Sequence, residues 1–244
     1  ASFFMLRKKP FFLYDAPSIF TLQVIKKMSH NALYTDLSGY YDLMCADINY
    51  QSQSDNIHRL HQIFGNGGTR HLDIAQQYCP AATFEQGNMC AFETKEQYDL
   101  ITCFLYSIHY CGDIKSLISC IESAHKALTT GGVLCFNSVD KSHIDNALTA
   151  KHSVLHVNSE FSLCSSWFYS GEGEKQTLKL SVEKTTAEIT QQWTDEHPMV
   201  ALNFKKLQDL LAPYFDIHIF EHEYDKIMAW DKMSGNAIFV CVKK

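Results

Sequence analysis

The side chains best suited to chemistry lie in CFLYSIHYC, residues 103–111, directly after the apolar run YDLIT. The segment carries hydroxyl and imidazole groups that we expect to contact a substrate: Tyr106, Ser107, His109 and Tyr110. Of these, Tyr106 and His109 are candidate catalytic residues. His109 suits a general base because an unperturbed imidazole has a pKa of about 6.5. A histidine that caps a helix or packs in a core is the alternative.

No metal site is expected. The nine cysteines include no C-x-x-C pair, so neither a zinc site nor a disulfide framework is supported. Several histidines lack metal-ligand spacing: His58, His61, His218 and His222. Reduced cysteines in apolar runs behave as small core residues. We therefore expect a cytoplasmic protein, and no apolar run approaches the ~18–20 residues that span a membrane.

The charge is unevenly distributed along the chain. The net charge is −6, yet residues 1–27 carry five basic residues and one acidic residue, which leaves −10 for residues 28–244. A body this acidic repels phosphate backbones. The sequence therefore disfavours nucleic acid as a partner, and the aromatic residues of the segment after residue 150 suit a small-molecule substrate with an oxygen or nitrogen nucleophile instead.

The elements that must position these side chains alternate between strands and helices. A helix is predicted from residue 55 to Gly65, and RHLDIA follows as a buried strand. YDLITC is a second buried strand. Asp113 caps a helix that we expect to end at Gly131–Gly132, before the strand VLCFNSVD. Strand, helix and strand in this order predict a right-handed parallel unit.

After residue 150 the pattern changes to alternating polar and apolar residues, typical of an antiparallel sheet with one wet face. A helix capped by Asn203 and a final antiparallel strand pair follow. We divide the chain into an extension (1–27), a core (28–150), an inserted cap (151–202) and a closing helix and hairpin (203–244). Met28 as the natural start is one interpretation of the extension, and an N-terminal arm packed on the domain is the other.

In the order of its fragments, the chain from residue 28 resembles the class I S-adenosylmethionine-dependent methyltransferases, in particular bacterial small-molecule members. The fragments that carry the resemblance are ALYTDLSGYYDLM, HLD, GNM, YDLITCFLYSIHY and ALTTGGVLCFNSVD, followed by the closing hairpin. The resemblance implies an α/β, Rossmann-like, mostly parallel sheet with a C-terminal antiparallel hairpin. The inserted sheet stands where such enzymes carry a substrate cap.

The resemblance also implies which residues contact S-adenosylmethionine. Tyr34 and Tyr41 match the lid segment, and Asp73 ends the first strand. Asn88 stands where the family binds the adenine amino group, although an asparagine after a glycine is often a turn residue. The side chains of Met89 and Phe104 would lie on either side of adenine. The backbone of Cys103, Phe104 and Leu105 would also line the site. For Met89 and Phe104, ordinary packing in the core is the alternative.

One unit of the family pattern is missing after Asp73. The family has a glycine-rich turn, a helix and an acidic strand there, whereas this chain continues directly into IAQQYCP. The first strand–helix–strand unit is therefore truncated, and cofactor binding is expected to be impaired. Only residues 76–82 remain to connect HLDIA with ATFEQ, and a parallel connection usually needs a dozen or more. We expect a strained or loosened edge that exposes apolar surface.

Three functions remain open. The first is methyl transfer to a small molecule, for which proximity and alignment can suffice without an acid or base. The second is a non-catalytic scaffold or binding protein that has lost its cofactor site. The third is an incomplete product, poorly folded or folded only as a homo-oligomer that covers the edge. Four residues of the inserted segment either shape a substrate pocket or form its core: Trp167, Trp193, Glu196 and His197.

Overall fold

A computed structural model of the 244-residue chain describes residues 2–7, 9–10, 25–26, 43, 45, 48–74, 84–187 and 189–244. The helices are α1 (Tyr50–Phe64), α2 (Ile114–Ala127) and α3 (Phe204–Leu211), with short 3-10 helices at Ser107–Cys111 and Lys141–His143. The strands are β1 (Ser2–Arg7), β2 (Lys9–Pro10), β3 (Ile25–Lys26), β4 (Arg70–Asp73), β5 (Phe84–Gly87), β6 (Tyr98–Cys103), β7 (Leu128–Val139), β8 (Ala150–His156), β9 (Ser159–Tyr169), β10 (Lys175–Thr185), β11 (Thr190–Val200), β12 (Phe215–Glu221) and β13 (Asn236–Lys243).

Each of the helices α1, α2 and α3 begins at a side-chain cap. The N–H of Ser116 donates to Asp113 at 2.7 Å, and the N–H of Lys206 donates to Asn203 at 2.7 Å. These two caps were predicted and are confirmed, because a cap depends only on residues within one turn. The predicted end of α2 at Gly131–Gly132 is wrong. The helix ends at Ala127, since the chain already enters β7 at the next residue.

The main sheet has the strand order β12-β13-β7-β6-β4-β2. Strands β4, β6 and β7 are parallel, while β13 lies antiparallel between β7 and β12. Alternate residues of β13 pack into two separate hydrophobic clusters, as expected for a sheet covered on both faces. Helices α2 and α3 contribute to one cluster and α1 to the other. The predicted α/β fold with a parallel sheet centre and a closing antiparallel hairpin is confirmed, although the sheet as a whole is mixed rather than mostly parallel.

The edge beside β4 differs from the expectation. Strand β2 pairs antiparallel with β4, and β1 pairs antiparallel with β5, so β5 is not the parallel neighbour of β4. Seven residues are fewer than a parallel connection usually needs, and residues 2–7 and 9–10 occupy the intervening position instead. The apolar residues described there are buried rather than exposed: Leu72, Ile74 and Met89. Residues 2–7 and 9–10 therefore pair with the core through their backbone.

The segment after residue 150 forms a separate antiparallel sheet in the order β11-β10-β9-β8, which confirms the inserted cap sheet. Strand β11 packs against the 3-10 helix Ser107–Cys111, so the cap lies over the segment that follows β6. The cysteines that the structure describes are free thiols. Among the described residues, no helix has both the length and the apolar character needed to cross a membrane.

Candidate functional site

A cavity of about 640 Å³ lies where β6 and β7 end and β13 begins, beneath the cap sheet. Ligands of open α/β sheets bind at this edge, outside the carboxyl ends of the strands. We call this site the capped cavity. Its walls come from the strand ends, the cap, α1 and the segment after β12, and include Leu105, Tyr106, Tyr110, Asn137, Trp167, Leu178, Gln53, His222, Tyr224 and Asn236.

The turn after β6 is strained. Leu105 and Tyr106 have φ angles of 54° and 58°, so two successive non-glycine residues adopt the left-handed conformation. Such residues cost roughly 1–3 kcal/mol each and concentrate at functional sites. The turn presents both side chains to the capped cavity. The strained backbone of Leu105 and Tyr106 therefore indicates that this turn belongs to a functional site.

The Tyr106 hydroxyl is held in a fixed position. Nδ2 of Asn236 donates to the Tyr106 hydroxyl oxygen at 2.7 Å. Burial raises the pKa of Tyr106, so the phenol stays neutral and keeps its proton. Since its oxygen already accepts from Asn236, the hydroxyl can donate that proton to a ligand in the cavity.

His222 is a neutral hydrogen-bond acceptor in the cavity wall. Burial lowers its pKa to about 4. Its Nε2 accepts from the Tyr224 hydroxyl at 2.9 Å and from Asn137 Nδ2 at 3.3 Å. The ring proton therefore lies on Nδ1. Burial also raises the pKa of Tyr224, so the whole cluster is uncharged at neutral pH.

The Asn236 side chain leaves one group for a ligand. Its Nδ2 donates to Tyr106, whereas its Oδ1 is buried and has no hydrogen-bond partner among the residues that the structure describes. A buried acceptor without a partner costs about 1–3 kcal/mol. A ligand with an N–H or O–H group would satisfy it.

His109 makes contacts typical of a packing histidine. It is fully buried, and it is not among the residues that line the capped cavity. Its Nδ1 lies 2.9 Å from the Val200 carbonyl oxygen, and its Nε2 accepts from the Val139 N–H at 3.1 Å. Burial lowers its pKa to about 4. The neutral imidazole thus ties β7 to the end of the cap sheet.

Solved structures provide the comparison. The chain matches a S-adenosylmethionine-dependent methyltransferase from Clostridium acetobutylicum ATCC 824 with a TM-score of 0.60 and 16% identity, over 86% of this chain and 98% of that one. It matches the amino pentose methyltransferase CalS10 from Micromonospora echinaspora with a TM-score of 0.55 and 14% identity, over 65% of this chain. Streptomyces venezuelae DesVI gives 0.54 and 15%, also over 65% of this chain.

The chain has the fold of the class I S-adenosylmethionine-dependent methyltransferases. It spans 63% of the length of CalS10 and 64% of the length of DesVI. Neither a scan against protein-family models nor a search of curated proteins gives a match. At these identities the similarity establishes the fold, and the activity has to be argued from the site.

The residues predicted to contact the cofactor are brought together only in part. Asn88 forms a turn in which its Oδ1 accepts from the Cys90 N–H at 3.0 Å. Met89 and Phe104 are both buried and belong to different hydrophobic clusters, and their places on either side of adenine stay a prediction. Cys103 is buried in the cluster that contains Met89.

Two further predictions concern the start of the methyltransferase core. Asp73 ends β4, where its Oδ1 accepts from the Thr102 hydroxyl at 2.6 Å. This carboxylate is therefore engaged within the sheet. The predicted lid residues Tyr34 and Tyr41 lie outside the described residues.

Several residues of the site were not predicted from the sequence. Asn137 and Asn236 stand within or beside apolar strands, and this interruption of an apolar run was their only signal. His222 was considered only for metal-ligand spacing. Among the described residues, no group of three or more His, Cys, Asp or Glu side chains could hold a metal ion. Of the cap candidates, Trp167 lines the capped cavity, while Trp193 packs in the core of the cap sheet.

Proposed function

We propose that this chain transfers a methyl group from S-adenosylmethionine to an oxygen or nitrogen atom of a small organic acceptor bound in the capped cavity. The observation that carries the proposal is the cavity itself. At about 640 Å³ it has the size of a small-molecule site, and it lies at the ligand-binding edge of a methyltransferase fold.

The charge of the wall indicates the class of acceptor. Among the described residues that line the cavity there is no Lys or Arg, whereas Asp145 is acidic. The low pKa of His222 keeps that ring neutral. A carboxylate or phosphate on the ligand would lose its hydration without gaining a cationic partner. The acceptor is therefore neutral or cationic.

The wall also orients the acceptor. The Tyr106 hydroxyl can donate to an acceptor oxygen, and Asn236 Oδ1 can accept from a neighbouring O–H or N–H group. Trp167 packs edge-on against Tyr106 at 5.3 Å between ring centroids and forms part of the cavity wall on the cap side. Fixed hydrogen bonds and this aromatic wall supply the alignment that methyl transfer requires.

S-adenosylmethionine, when bound, supplies the activated methyl group. Among the described residues, the backbone at Leu105 lines the cavity at the end of β6 and suits its adenosyl part. Asn88, which follows β5, is the second candidate by resemblance. The fit is incomplete, because residues 74–83 contain no glycine and Asp73 is bonded to Thr102. Other groups must hold the ribose and the amino-acid part.

That incomplete fit favours a second candidate function. A chain with the methyltransferase fold that no longer binds the cofactor would be a scaffold that binds small molecules in the capped cavity. Such a protein would keep the cavity and its hydrogen bonds, and would lose affinity only for the adenosyl ligand.

Calorimetric titration with S-adenosylhomocysteine separates the two functions, after a melting scan that establishes cooperative folding. Micromolar binding supports the methyltransferase. In that case Asn88→Ala should weaken the affinity, whereas Asn146→Ala, in an exposed loop beside the cap, should not. Absence of heat up to millimolar ligand, with a cooperative melt, would exclude methyl transfer and leave the scaffold.

A further inference from the structure

A second titratable cluster lies beside the capped cavity. The Tyr110 hydroxyl lies 2.5 Å from Nδ1 of His197, and Nε2 of His197 lies 3.6 Å from Oδ2 of Asp195. All three residues are at most 9% exposed. His197 and Asp195 are two residues apart on β11 and therefore lie on the same face of the strand.

The cluster reaches from the capped cavity into the cap sheet. Tyr110 belongs to the wall of the capped cavity. Asp195 lies on the face of β11 that carries His197, whereas Glu196 between them lies on the opposite, exposed face. The line of titratable side chains thus runs from the capped cavity to a buried carboxylate.

We propose that Tyr110, His197 and Asp195 form a proton relay that accepts the proton released in methyl transfer. The inference rests on the proposed function. Tyr110 is the catalytic residue, since it faces the acceptor. His197 and Asp195 act through it as positioning residues.

In the proposed methyl transfer, the acceptor's lone pair forms the bond to the methyl carbon, and the carbon–sulfur bond breaks with its electron pair left on sulfur. The acceptor's proton moves to the Tyr110 oxygen as the Tyr110 proton moves to Nδ1 of His197. The Asp195 carboxylate stabilises the resulting imidazolium, and the proton returns through Tyr110 to water once the methylated product has left the capped cavity.

This relay requires one tautomer of His197. Tyr110 can donate to Nδ1 only if Nδ1 carries no proton, so the proton must lie on Nε2. In the opposite tautomer, the Nε2 lone pair would face the Asp195 carboxylate at 3.6 Å, which is repulsive. The geometry therefore favours the tautomer that the relay needs.

His109, although nearby, does not fit this role. Its ring nitrogens are within hydrogen-bond distance of backbone groups of Val200 and Val139, which fix its tautomer. The ring nitrogen of His197 instead meets a phenol that reaches the cavity. Among the described residues, the titratable groups in contact with His197 include Tyr110 from the 3-10 helix and Asp195 from its own strand.

The first test is NMR of the full chain with nitrogen-15-labelled histidine, with the His197 signals assigned by their loss in His197→Gln. We expect an unprotonated Nδ1 and a protonated Nε2, with an Nδ1 shift that moves in Tyr110→Phe. A protonated Nδ1 would overturn the relay, whatever the activity.

The second test is the pH dependence of methyl transfer from S-adenosylmethionine to tyramine, a probe with an amine and a phenol. Tyr110→Phe should lower kcat by roughly 10²–10³-fold and leave KM for S-adenosylmethionine unchanged. Asp195→Asn should move the rising limb of the profile to lower pH and lower its plateau, because the imidazolium loses its stabilising charge.

Tyr214→Phe is the matched control, since its hydroxyl bonds to Glu122 far from the cavity. An unchanged kcat and pH profile in Tyr110→Phe would refute the relay. If His197 has the expected tautomer but the wild type transfers no methyl group, the proposed function is wrong. The arrangement of Tyr110, His197 and Asp195 would then still be as described by the tautomer. If Tyr110→Phe does not fold, Asp195→Asn and the wild-type spectrum still decide.

Discussion

The backbone N–H of Tyr106 donates to Oδ1 of Asn137 over 3.0 Å, and this bond joins the strained turn after β6 to β7. The same carboxamide donates through Nδ2 to His222 at 3.3 Å. One side chain thus links three parts of the cavity wall. Because the turn is left-handed at two successive non-glycine residues, it needs such an external partner to persist.

We expect Asn137→Ala to lower the free energy of unfolding by about 1–3 kcal/mol, since it leaves a buried N–H without a partner. Urea unfolding measures the change. Asn158→Ala, at an exposed turn in the cap, is the control and should stay within about 0.5 kcal/mol of the wild type. Unchanged stability in Asn137→Ala would mean that the turn is held by other contacts.

We expect stability to fall between pH 6.5 and pH 4. The folded-state pKa values of His109 and His222 are lowered to about 4 by burial. Between the two pH values the unfolded chain binds more protons than the folded chain, so the free energy of unfolding rises with pH. The stabilisation is present above pH 6.5 and lost on acidification, on the order of 3 kcal/mol for His109.

Urea unfolding at several pH values from 4.5 to 7.5 checks this slope. His222→Gln should remove the part of the slope that this ring supplies, while His61 and His125, whose pKa burial also lowers, contribute to the remainder. Asn158→Ala, which removes no titratable group from its exposed turn, should leave the slope unchanged. If the free energy of unfolding of the wild type did not change over this pH range, folding would not lower the pKa of His109 or of His222.

The parts of the fold that could be predicted from sequence depend on neighbouring residues. The caps at Asp113 and Asn203 each involve one helical turn, and the buried run at β6 has a composition that suits a doubly covered strand. The pairing of β1 with β5 joins residues about 80 positions apart. No local pattern specifies such a partner, so this edge was not predicted.

The same limit applies to the site: local sequence predicts the position of its residues along the chain but not their distant partners. The strand-end position of Leu105 and Tyr106 follows from the order of elements. Their polar partners come from elsewhere in the chain, at Asn137, His222 and Asn236. A single asparagine in an apolar strand signals a buried hydrogen bond, but the sequence does not show which turn it contacts.

We expect the capped cavity to bind tyramine at least tenfold more tightly than tyrosine. The two probes differ by one carboxylate, and the described wall offers Asp145 but no Lys or Arg. Burying that carboxylate without a cationic partner costs more than the 1.4 kcal/mol that corresponds to a factor of ten. Calorimetric titration of both probes measures the ratio, and Asp145→Asn should reduce it.

Equal affinity for the two probes would contradict the charge argument, because it would mean that the carboxylate of tyrosine stays in water and does not contact the cavity wall. Asp209→Asn provides the control, since this carboxylate lies on the exposed face of α3 and forms an ion pair with Lys205 rather than lining the cavity. It should leave the ratio unchanged.

We expect residues 2–10 to be needed for a stable monomer. They pair with β4 and β5, and their removal would leave two strand edges without backbone partners. Replacing them with a Gly-Ser segment of equal length should lower the free energy of unfolding by about 2–5 kcal/mol, as several net hydrogen bonds are lost. It should also cause self-association that grows with protein concentration.

Urea unfolding and size-exclusion chromatography over a range of concentrations check both effects. The control is a Gly-Ser replacement of residues 170–174, an exposed turn between β9 and β10, which should change neither. A monomer of wild-type stability after replacement of residues 2–10 would show that these pairings are not used in solution. A stable dimer would instead mean that a second copy covers the freed edge, because unpaired strand edges pair with one another.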